Sequence, residues 1–367
     1  MEKAWRDTID TRKSIHVKRQ RDLGVKEDNM KMHRQTDRPG VPPPAELPKP
    51  ERIDTEAIYR DWKDGRLDLV CVLGPTASGK TRYAVSLART LNGLAAKEPT
   101  GAGGISATEM TVEIISADSR QVYRGMDIGT GKDLKEYGEV PYHLIDIVDA
   151  GEPYDLYNYQ QDFEKVYAGI RSRGHLPLLC GGTGLYIQAV TSAYNLPQVP
   201  PDPALRAELE EADIEELREA YCERCEPDPA VMESKRRLIR ALEIEFYKQD
   251  HPLEKTGFQP KKTFFIGTVV SREDRNARID RRLDERLQEG MVDEVKGLLQ
   301  KGIPAETLLR YGLEYKFVTE YILGLVDYDG MRTLLATAIH QFAKRQMTFF
   351  RGMESKGIVI HWTDPIS

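Results

Sequence analysis

A short run of residues in the first quarter of the chain has the types and spacing that phosphate binding requires. The run is Gly74, Pro75, Thr76, Ala77, Ser78, Gly79, Lys80 and Thr81. Its glycines let the backbone curl so that N–H groups point inward, while the lysine can reach terminal phosphates and the threonine can ligate Mg²⁺. The apolar run 67–73 is typical of a buried strand, and 83–88 has a helical pattern. This context predicts a Walker A loop that cradles a diphosphate or triphosphate.

Two other apolar runs lead into residues that can carry chemistry. After 112–117 come the polar residues Asp118, Ser119, Arg120 and Gln121. After 176–180 come three glycines and a hydroxyl, in the order Gly181, Gly182, Thr183 and Gly184. Because ligands bind beyond the carboxyl ends of parallel strands, we predict that these segments and the phosphate loop meet at one cleft. In that cleft Asp118 can accept a proton from a substrate. The alternative is that Asp118 only caps the N-terminus of the next helix.

The elements that must position these residues alternate along the chain. Apolar runs typical of buried strands lie at 68–73, 112–117, 142–148, 176–180, 263–270 and 358–362. Helical periodicity lies between most of them, which predicts an α/β fold with a parallel sheet covered by helices. The stretch from Gly93 to Met110 is rich in Gly, Ala and Thr and is expected to be a surface loop.

Composition divides the chain into four segments. Residues 1–66 are polar and proline-rich towards their end, so we predict a disordered N-terminal extension and linker. Residues 67–196 form the first part of the phosphate-loop core, and 263–367 form the second part with C-terminal helices. Between them, 197–262 opens with prolines and continues as a charged helical stretch. That shift predicts an all-helical subdomain inserted into the core.

Composition, net charge and cysteine content restrict the class of protein and its cellular location. The 367 residues are 40% apolar with a net charge of −6, which does not by itself indicate a nucleic-acid binder, although a local basic face remains compatible. The chain has no run of about 18 apolar residues, so we expect a cytoplasmic protein without membrane contact, and a monomer. The four cysteines favour a reduced protein. Cys222 and Cys225 lack a second Cys or His pair at finger spacing, which argues against zinc.

The motifs together resemble the tRNA dimethylallyltransferase family. The resemblance rests on the phosphate loop, on 116–123, on Met126 to Thr130, on His143 to Asp146 and on Gly181 to Tyr186. It extends through 237–243 and 343–346, and so covers about 67–353. It implies a P-loop NTPase-like sheet with an inserted helical subdomain, and transfer of a dimethylallyl group from its diphosphate to the exocyclic amine of the adenosine 3′ of a tRNA anticodon.

The resemblance also implies residue roles. Asp118 would be the general base, Thr183 would hold the base or orient its amine, and Lys80 with Mg²⁺ at Thr81 would stabilise the leaving diphosphate. Arg278 would clamp the diphosphate together with Arg272 and Arg282, the alternative being a solvated helix face. The residues that match tRNA contacts are Asp118, Ser119, Arg120, Gln121, Thr183, Arg206, Arg236, Arg237, Leu238, Ile239, Arg240, Lys344, Arg345, Gln346 and Arg351.

The chain departs from the family pattern at Tyr311 to Tyr315 and at Ile339 and His340. These departures concern tRNA docking and leave the phosphate loop, Asp118 and Thr183 intact. Three alternatives remain open on sequence. They are an adenylate isopentenyltransferase that acts on a free nucleotide, a small-molecule kinase that uses ATP, and an RNA-binding module without catalysis.

Overall fold

The computed structural model describes residues 47–97, 111–192, 199–251, 259 and 261–365. Most of the extension predicted at 1–66 and most of the loop predicted at 93–110 lie outside the described residues. The prediction of disorder is wrong for the end of the extension, however. Helix α1, Thr55–Lys63, begins at the capping carboxylate of Asp54, which accepts the N–H of Ala57 at 2.9 Å. Ile58 and Tyr59 of this helix are buried against the sheet core, so burial offsets the entropy of ordering.

Six parallel strands form the central sheet, in the order β4-β2-β6-β1-β7-β8. The strands are β1 Leu69–Leu73, β2 Val112–Ser116, β4 Tyr142–His143, β6 Leu176–Gly181, β7 Thr263–Thr268 and β8 Ile360–Thr363. A separate parallel pair joins β3, Tyr123–Arg124, to β5, Val148–Asp149. The predicted α/β sheet is therefore present, with its third predicted strand divided between β4 and β5.

The helices follow the predicted alternation. In chain order they are α2 Lys80–Ala95, α3 Leu156–Ser172, α4 Gly184–Thr191, α5 Pro203–Glu211, α6 Ile214–Cys222, α7 Pro229–Met232, α8 Lys235–Asp250, α9 Arg272–Gln288, α10 Met291–Gln300, α11 Ala305–Leu308, α12 Leu313–Ile322 and α13 Tyr328–Ser355. A short 3₁₀ turn, Leu134–Glu136, lies between β3 and β4. Among the described residues no helix is both long and apolar enough to cross a membrane.

The strand that precedes the phosphate loop is buried on both faces. Leu69, Cys71 and Leu73 are fully buried in one apolar cluster, and the alternate residues Val70 and Val72 are fully buried in another. Because side chains alternate across a strand, this continuous apolar run places helices on both faces of the sheet. Strand β1 pairs with β6 on one side and β7 on the other, so the loop after it opens near the middle of the sheet.

The inserted segment consists of α5 to α8, and a buried carboxylate joins its parts. Glu243 on α8 accepts two hydrogen bonds of 2.8 Å from the Arg206 guanidinium and one from Arg240. It also accepts the backbone N–H of Asp202 at 2.7 Å. Arg240 in turn donates to the carbonyl of Val199 at 2.9 Å. These bonds tie the segment that leads into the subdomain to its longest helix.

Candidate active site

A cavity of about 510 Å³ opens at the carboxyl ends of the central strands. It brings together the three segments that were predicted to converge. The phosphate loop contributes Thr76, Lys80 and Thr81, and the β2 end contributes 118–121. The β6 end contributes 181–184. A volume of this size is in the range of small-molecule and cofactor sites.

The phosphate loop is shaped by left-handed backbone and by close packing. Ala77 has φ +60° and Gly79 has φ +83°, and Gly79 is the cap of α2. Such turns direct successive N–H groups into a concave nest for anions. Gly74 must lack a side chain, since a Cβ there would lie 2.3 Å from Oγ1 of Thr268. The Ser78 hydroxyl hydrogen-bonds the Thr268 hydroxyl at 2.7 Å and fixes the loop to β7.

Gln346 joins the phosphate loop to the end of β6. Its Oε1 accepts the backbone N–H of Thr76 at 2.8 Å, and its Nε2 donates to the carbonyl of Gly182 at 2.8 Å. A Cβ on Gly182 would lie 2.5 Å from that Nε2, so only glycine allows this contact. In this structure Gln346, which was predicted to contact tRNA, has both ends of its amide bound to the site's own backbone.

The cationic side of the cavity is formed by Lys80, Arg282 and Arg286. Burial lowers the pKa of Lys80, and the positive charges of both arginines act in the same direction. The charge of Asp118 raises the Lys80 pKa and so partly offsets this effect. Burial also lowers the pKa of Arg286, with a further contribution from Arg282. Clustered, partly desolvated cations of this kind favour a multivalent anion such as a diphosphate.

The turns that carry Asp118 and Thr183, after β2 and β6, are hydrogen-bonded to each other through Ser119. Oδ1 of Asp118 accepts the backbone N–H of Arg120 at 2.9 Å. The Thr183 hydroxyl accepts the Ser119 N–H at 3.1 Å and lies 3.4 Å from the Ser119 hydroxyl. Gly181 allows this approach, because a Cβ there would lie 2.2 Å from the Ala117 carbonyl oxygen. Among the described residues Oδ2 of Asp118 makes no hydrogen bond. It can therefore accept a proton, and the bond from Arg120 to Oδ1 fixes its orientation.

Sequence reasoning did not identify Glu314 as part of the site. All of Tyr311 to Tyr315, the segment that departs from the family pattern, lines the cavity. The carboxylate of Glu314 lies 3.8 Å from the Arg286 guanidinium. Burial raises the pKa of Glu314, while the charge of Arg286 opposes this rise. Arg286 lies one helical turn after Arg282, and the sequence left it open between a functional role and a solvated helix face. Its pairing with Glu314 had no sequence signal.

The rim of the cavity is apolar and basic. Leu185 and Phe342 are both substantially exposed, at 50% and 38%, and Phe349 lies beside them. The Arg345 guanidinium lies over the Phe342 ring, 5.8 Å from its centroid. Arg345 and Lys344 are exposed, and Arg351 is half-buried. An exposed ring next to a cation is a surface on which a nucleobase can stack.

Several predicted site residues lie away from the cavity or are already engaged. Arg278 is half-buried on α9 and is not among the residues that line the cavity. Leu238 and Ile239 are buried, at 0% and 4% exposure, so their side chains are not available to RNA. Arg206 and Arg240 are held by Glu243, as described above. Arg236 and Arg237 are the exposed cations of this stretch, with Arg237 donating to the Ala230 carbonyl at 2.8 Å.

Hard oxygen donors for a Mg²⁺ ion are present in the cavity. The hydroxyl of Thr81 and the carboxylate of Asp118 both line it. No group of three or more His, Cys, Asp or Glu residues that could hold a metal occurs in the described part of the chain. This donor set suits Mg²⁺, which usually takes one or two protein ligands together with substrate phosphates and water.

Comparison with known proteins agrees with this geometry. The family model for IPP transferase matches residues 121–353. This chain belongs to the IPP transferase family. It is 51% identical over 305 residues to tRNA dimethylallyltransferase 2 of Porphyromonas gingivalis, covering 81% of this chain and 94% of that protein. It is 48% identical over 302 residues to tRNA dimethylallyltransferase 2 of Bacteroides fragilis, covering 81% and 92%.

Solved structures of similar proteins have the same fold. The tRNA isopentenylpyrophosphate transferase of Bacillus halodurans is 34% identical, with a TM-score of 0.56 over 81% of this chain and 90% of that one. A eukaryotic dimethylallyltransferase acting on tRNA has a TM-score of 0.57 at 24% identity, covering 77% and 69%. The second comparison bears on the fold alone. The P-loop NTPase-like architecture predicted from the sequence is confirmed.

Proposed function

We propose that this protein transfers a dimethylallyl group from dimethylallyl diphosphate to the exocyclic amine of the adenosine 3′ of the anticodon in tRNA. The observation that carries the proposal is the joint placement of a phosphate loop with three cations and of Asp118 on one cavity. A phosphate loop recognises phosphate oxygens and not a nucleoside, so it suits an allylic diphosphate. The family membership and the names of the relatives support the same activity.

The residues divide the chemistry between them. A bond forms between the adenine amine and C1 of the dimethylallyl group, while the bond from C1 to the diphosphate oxygen breaks and its electron pair leaves with the diphosphate. Lys80, Arg282 and Arg286 stabilise the negative charge that develops there. Asp118 accepts the proton that the amine loses, which is useful because an aromatic amine is a weak nucleophile. Thr183 orients the amine beside that carboxylate.

Mg²⁺ fits this arrangement as a cofactor. Thr81 would hold it together with the substrate's phosphate oxygens and water. Bound there, the ion would supply charge neutralisation to the departing diphosphate. The three cations described above act on the same oxygens.

The tRNA has to present an extruded base, and the chain offers surfaces that could bind the stem-loop. Extruding an unpaired base costs a few kcal/mol, which contacts to the anticodon stem-loop can offset. We propose that α5 to α8 bind the stem-loop through Arg236 and Arg237, and that the rim at Phe342 and Arg345 receives the loop. We further propose that the protein acts as a monomer in the cytoplasm, where its tRNA substrate is found.

One assay separates this function from its alternatives. Purified protein is incubated with labelled dimethylallyl diphosphate and Mg²⁺, and is offered unmodified total tRNA, AMP or no acceptor. We expect label in tRNA alone. Label in AMP would identify an adenylate isopentenyltransferase, and transfer of the γ-phosphate from ATP in a parallel reaction would identify a kinase. No label in any acceptor, with tRNA bound, would favour a binding module.

A further inference from the structure

The loop between β3 and the 3₁₀ turn forms one wall of the cavity, and three of its backbone N–H groups converge on one carboxylate. Gly129, Thr130 and Gly131 of this loop line the cavity. Just before them, three successive backbone N–H groups, those of Asp127, Ile128 and Gly129, point at Glu294 of α10. They donate to its carboxylate at 2.8, 2.7 and 3.0 Å.

The fourth donor to this carboxylate comes from the segment that departs from the family pattern. The Tyr315 hydroxyl donates to Oε1 of Glu294 at 2.7 Å. Burial and the nearby Glu294 charge raise the pKa of Tyr315, so its hydroxyl remains a donor. The Tyr315 ring packs directly on the loop, since a Cβ on Gly129 would lie 2.8 Å from it. Two carboxylate oxygens that receive four donors are fully used.

The loop in turn fixes the cations of the diphosphate side. Gly131, two residues after the last N–H donor, has φ +63°, and a Cβ there would lie 1.6 Å from Nη2 of Arg286 and 2.7 Å from Nη2 of Arg282. Its carbonyl also accepts from Arg282 at 3.4 Å. The two guanidinium groups therefore rest against the backbone that Glu294 holds, with Lys132 as a second anchor through the Asp127 carboxylate at 3.0 Å. A small shift of this loop would displace both arginines relative to Lys80.

We propose that Glu294 is a positioning residue for diphosphate binding, acting through the 127–131 backbone on Arg282 and Arg286, with Tyr315 as its side-chain partner. The proposal rests on the proposed function for the identity of the natural diphosphate. Glu294 itself does not line the cavity. Its contribution is to keep Arg282 and Arg286 at a fixed distance from the phosphate loop. Because the two side chains are already in place, they need not rearrange when the ligand binds.

The test uses the full chain and the isosteric variant Glu294→Gln. An amide offers one acceptor oxygen and turns an NH₂ group towards two of the four donors, so at least two hydrogen bonds are lost. We expect the KM for dimethylallyl diphosphate and the Kd for inorganic pyrophosphate, measured by calorimetry without tRNA, to rise roughly tenfold. The KM for tRNA should stay within about twofold, because the α5–α8 surface is unchanged. The matched control is Asp293→Asn, an adjacent exposed carboxylate whose side chain contacts only Lys296 at 3.3 Å among the described residues.

The outcomes separate this inference from the proposed function. If wild-type protein labels tRNA but Glu294→Gln leaves both the KM and the pyrophosphate Kd unchanged, the positioning role is refuted. If wild-type protein labels no tRNA and the variant still weakens pyrophosphate binding, the inference stands and the proposed function fails. Should Glu294→Gln not fold, Tyr315→Phe keeps the ring and removes one donor. It should raise the pyrophosphate Kd about threefold, and an unchanged Kd would overturn the proposal.

Discussion

Replacement of Asp118 by asparagine tests the chemistry of the cavity without disturbing its shape. The amide has the same size as the carboxylate, and its carbonyl oxygen can accept the Arg120 N–H as Oδ1 of Asp118 does at 2.9 Å. The turn that carries Ser119 to Gln121 should therefore persist. What is lost is the basicity of the side chain and its negative charge.

The size and the direction of the effect follow from these two losses. A positioned general base contributes about 10² to 10⁴ in rate, or roughly 3 to 5 kcal/mol of barrier, so kcat should fall by that factor. The charge that disappears interacts with Lys80 in the cavity proposed to bind the diphosphate. Removing it cannot weaken diphosphate binding through repulsion, so the KM for dimethylallyl diphosphate should stay the same or fall. If Asp118 is the general base, its replacement should lower kcat without raising the KM for dimethylallyl diphosphate.

Single-turnover transfer of labelled dimethylallyl to saturating tRNA measures this directly, with inorganic pyrophosphate binding as a second readout. The control is Asp149→Asn, an exposed carboxylate 2.9 Å from Arg124 and not part of the cavity lining. A variant at Asp118 that keeps more than a tenth of the wild-type rate would refute the assignment as base. A normal rate with a raised KM would make Asp118 a binding residue instead.

Three other predictions address the phosphate loop, the RNA surface and a buried carboxylate on β2. Gly182→Ala should displace the Gln346 amide and raise the pyrophosphate Kd about tenfold, measured by calorimetry, whereas a Cβ on Gly297 would meet no atom within 4 Å and Gly297→Ala should have no such effect. Replacing both Arg236 and Arg237 by Glu should weaken tRNA binding and reduce the salt dependence of the binding constant, measured by filter binding. If the salt dependence of tRNA binding equals that of the wild-type protein, the Arg236 and Arg237 surface does not contact tRNA. Glu113→Gln should lower the free energy of unfolding by about 2 kcal/mol at pH 7, since it removes charge-assisted bonds. Burial raises the pKa of Glu113, but hydrogen bonds from His175, His143 and Arg173 outweigh it, so the pKa is lowered. Its stabilisation is therefore present above the pKa of the unfolded chain and is lost as the pH falls through the lowered pKa of the folded state, where the difference between wild type and variant in urea titrations should vanish. A difference that persists there would contradict the assignment.

The parallel sheet and its phosphate loop were predictable because their signals are local. A strand buried on both faces needs a continuous apolar run, and the loop needs glycines, Lys80 and Thr81 at fixed spacing. The convergence of Asp118 and Thr183 on that loop followed from one general property of parallel sheets, that their carboxyl ends share an edge. The end of the N-terminal extension was mispredicted, because Ile58 and Tyr59 become core residues only when the sheet is there to cover them.

Pairings between distant residues were not predictable. Gln346 binds Thr76 across 270 positions, and Glu294 binds Asp127 across 167. Arg206 and Arg240 were predicted to contact RNA, and the fold pairs both of them with the buried carboxylate of Glu243, a partner that no local pattern indicates. A charged side chain on a helix has the same sequence pattern whether its partner is a phosphate or a buried carboxylate.

The sequence by itself determined that a phosphate loop, a carboxylate and a hydroxyl would meet at one sheet edge, since each is placed by the strand next to it. Only the tertiary structure decided which arginines face that edge, and that Glu314 stands opposite Arg286. The physical reason is that hydrogen bonds and ion pairs are decided by distances of a few ångströms between chain segments. Those distances are set by the packing of α9, α10, α12 and α13 and by no local pattern of residues.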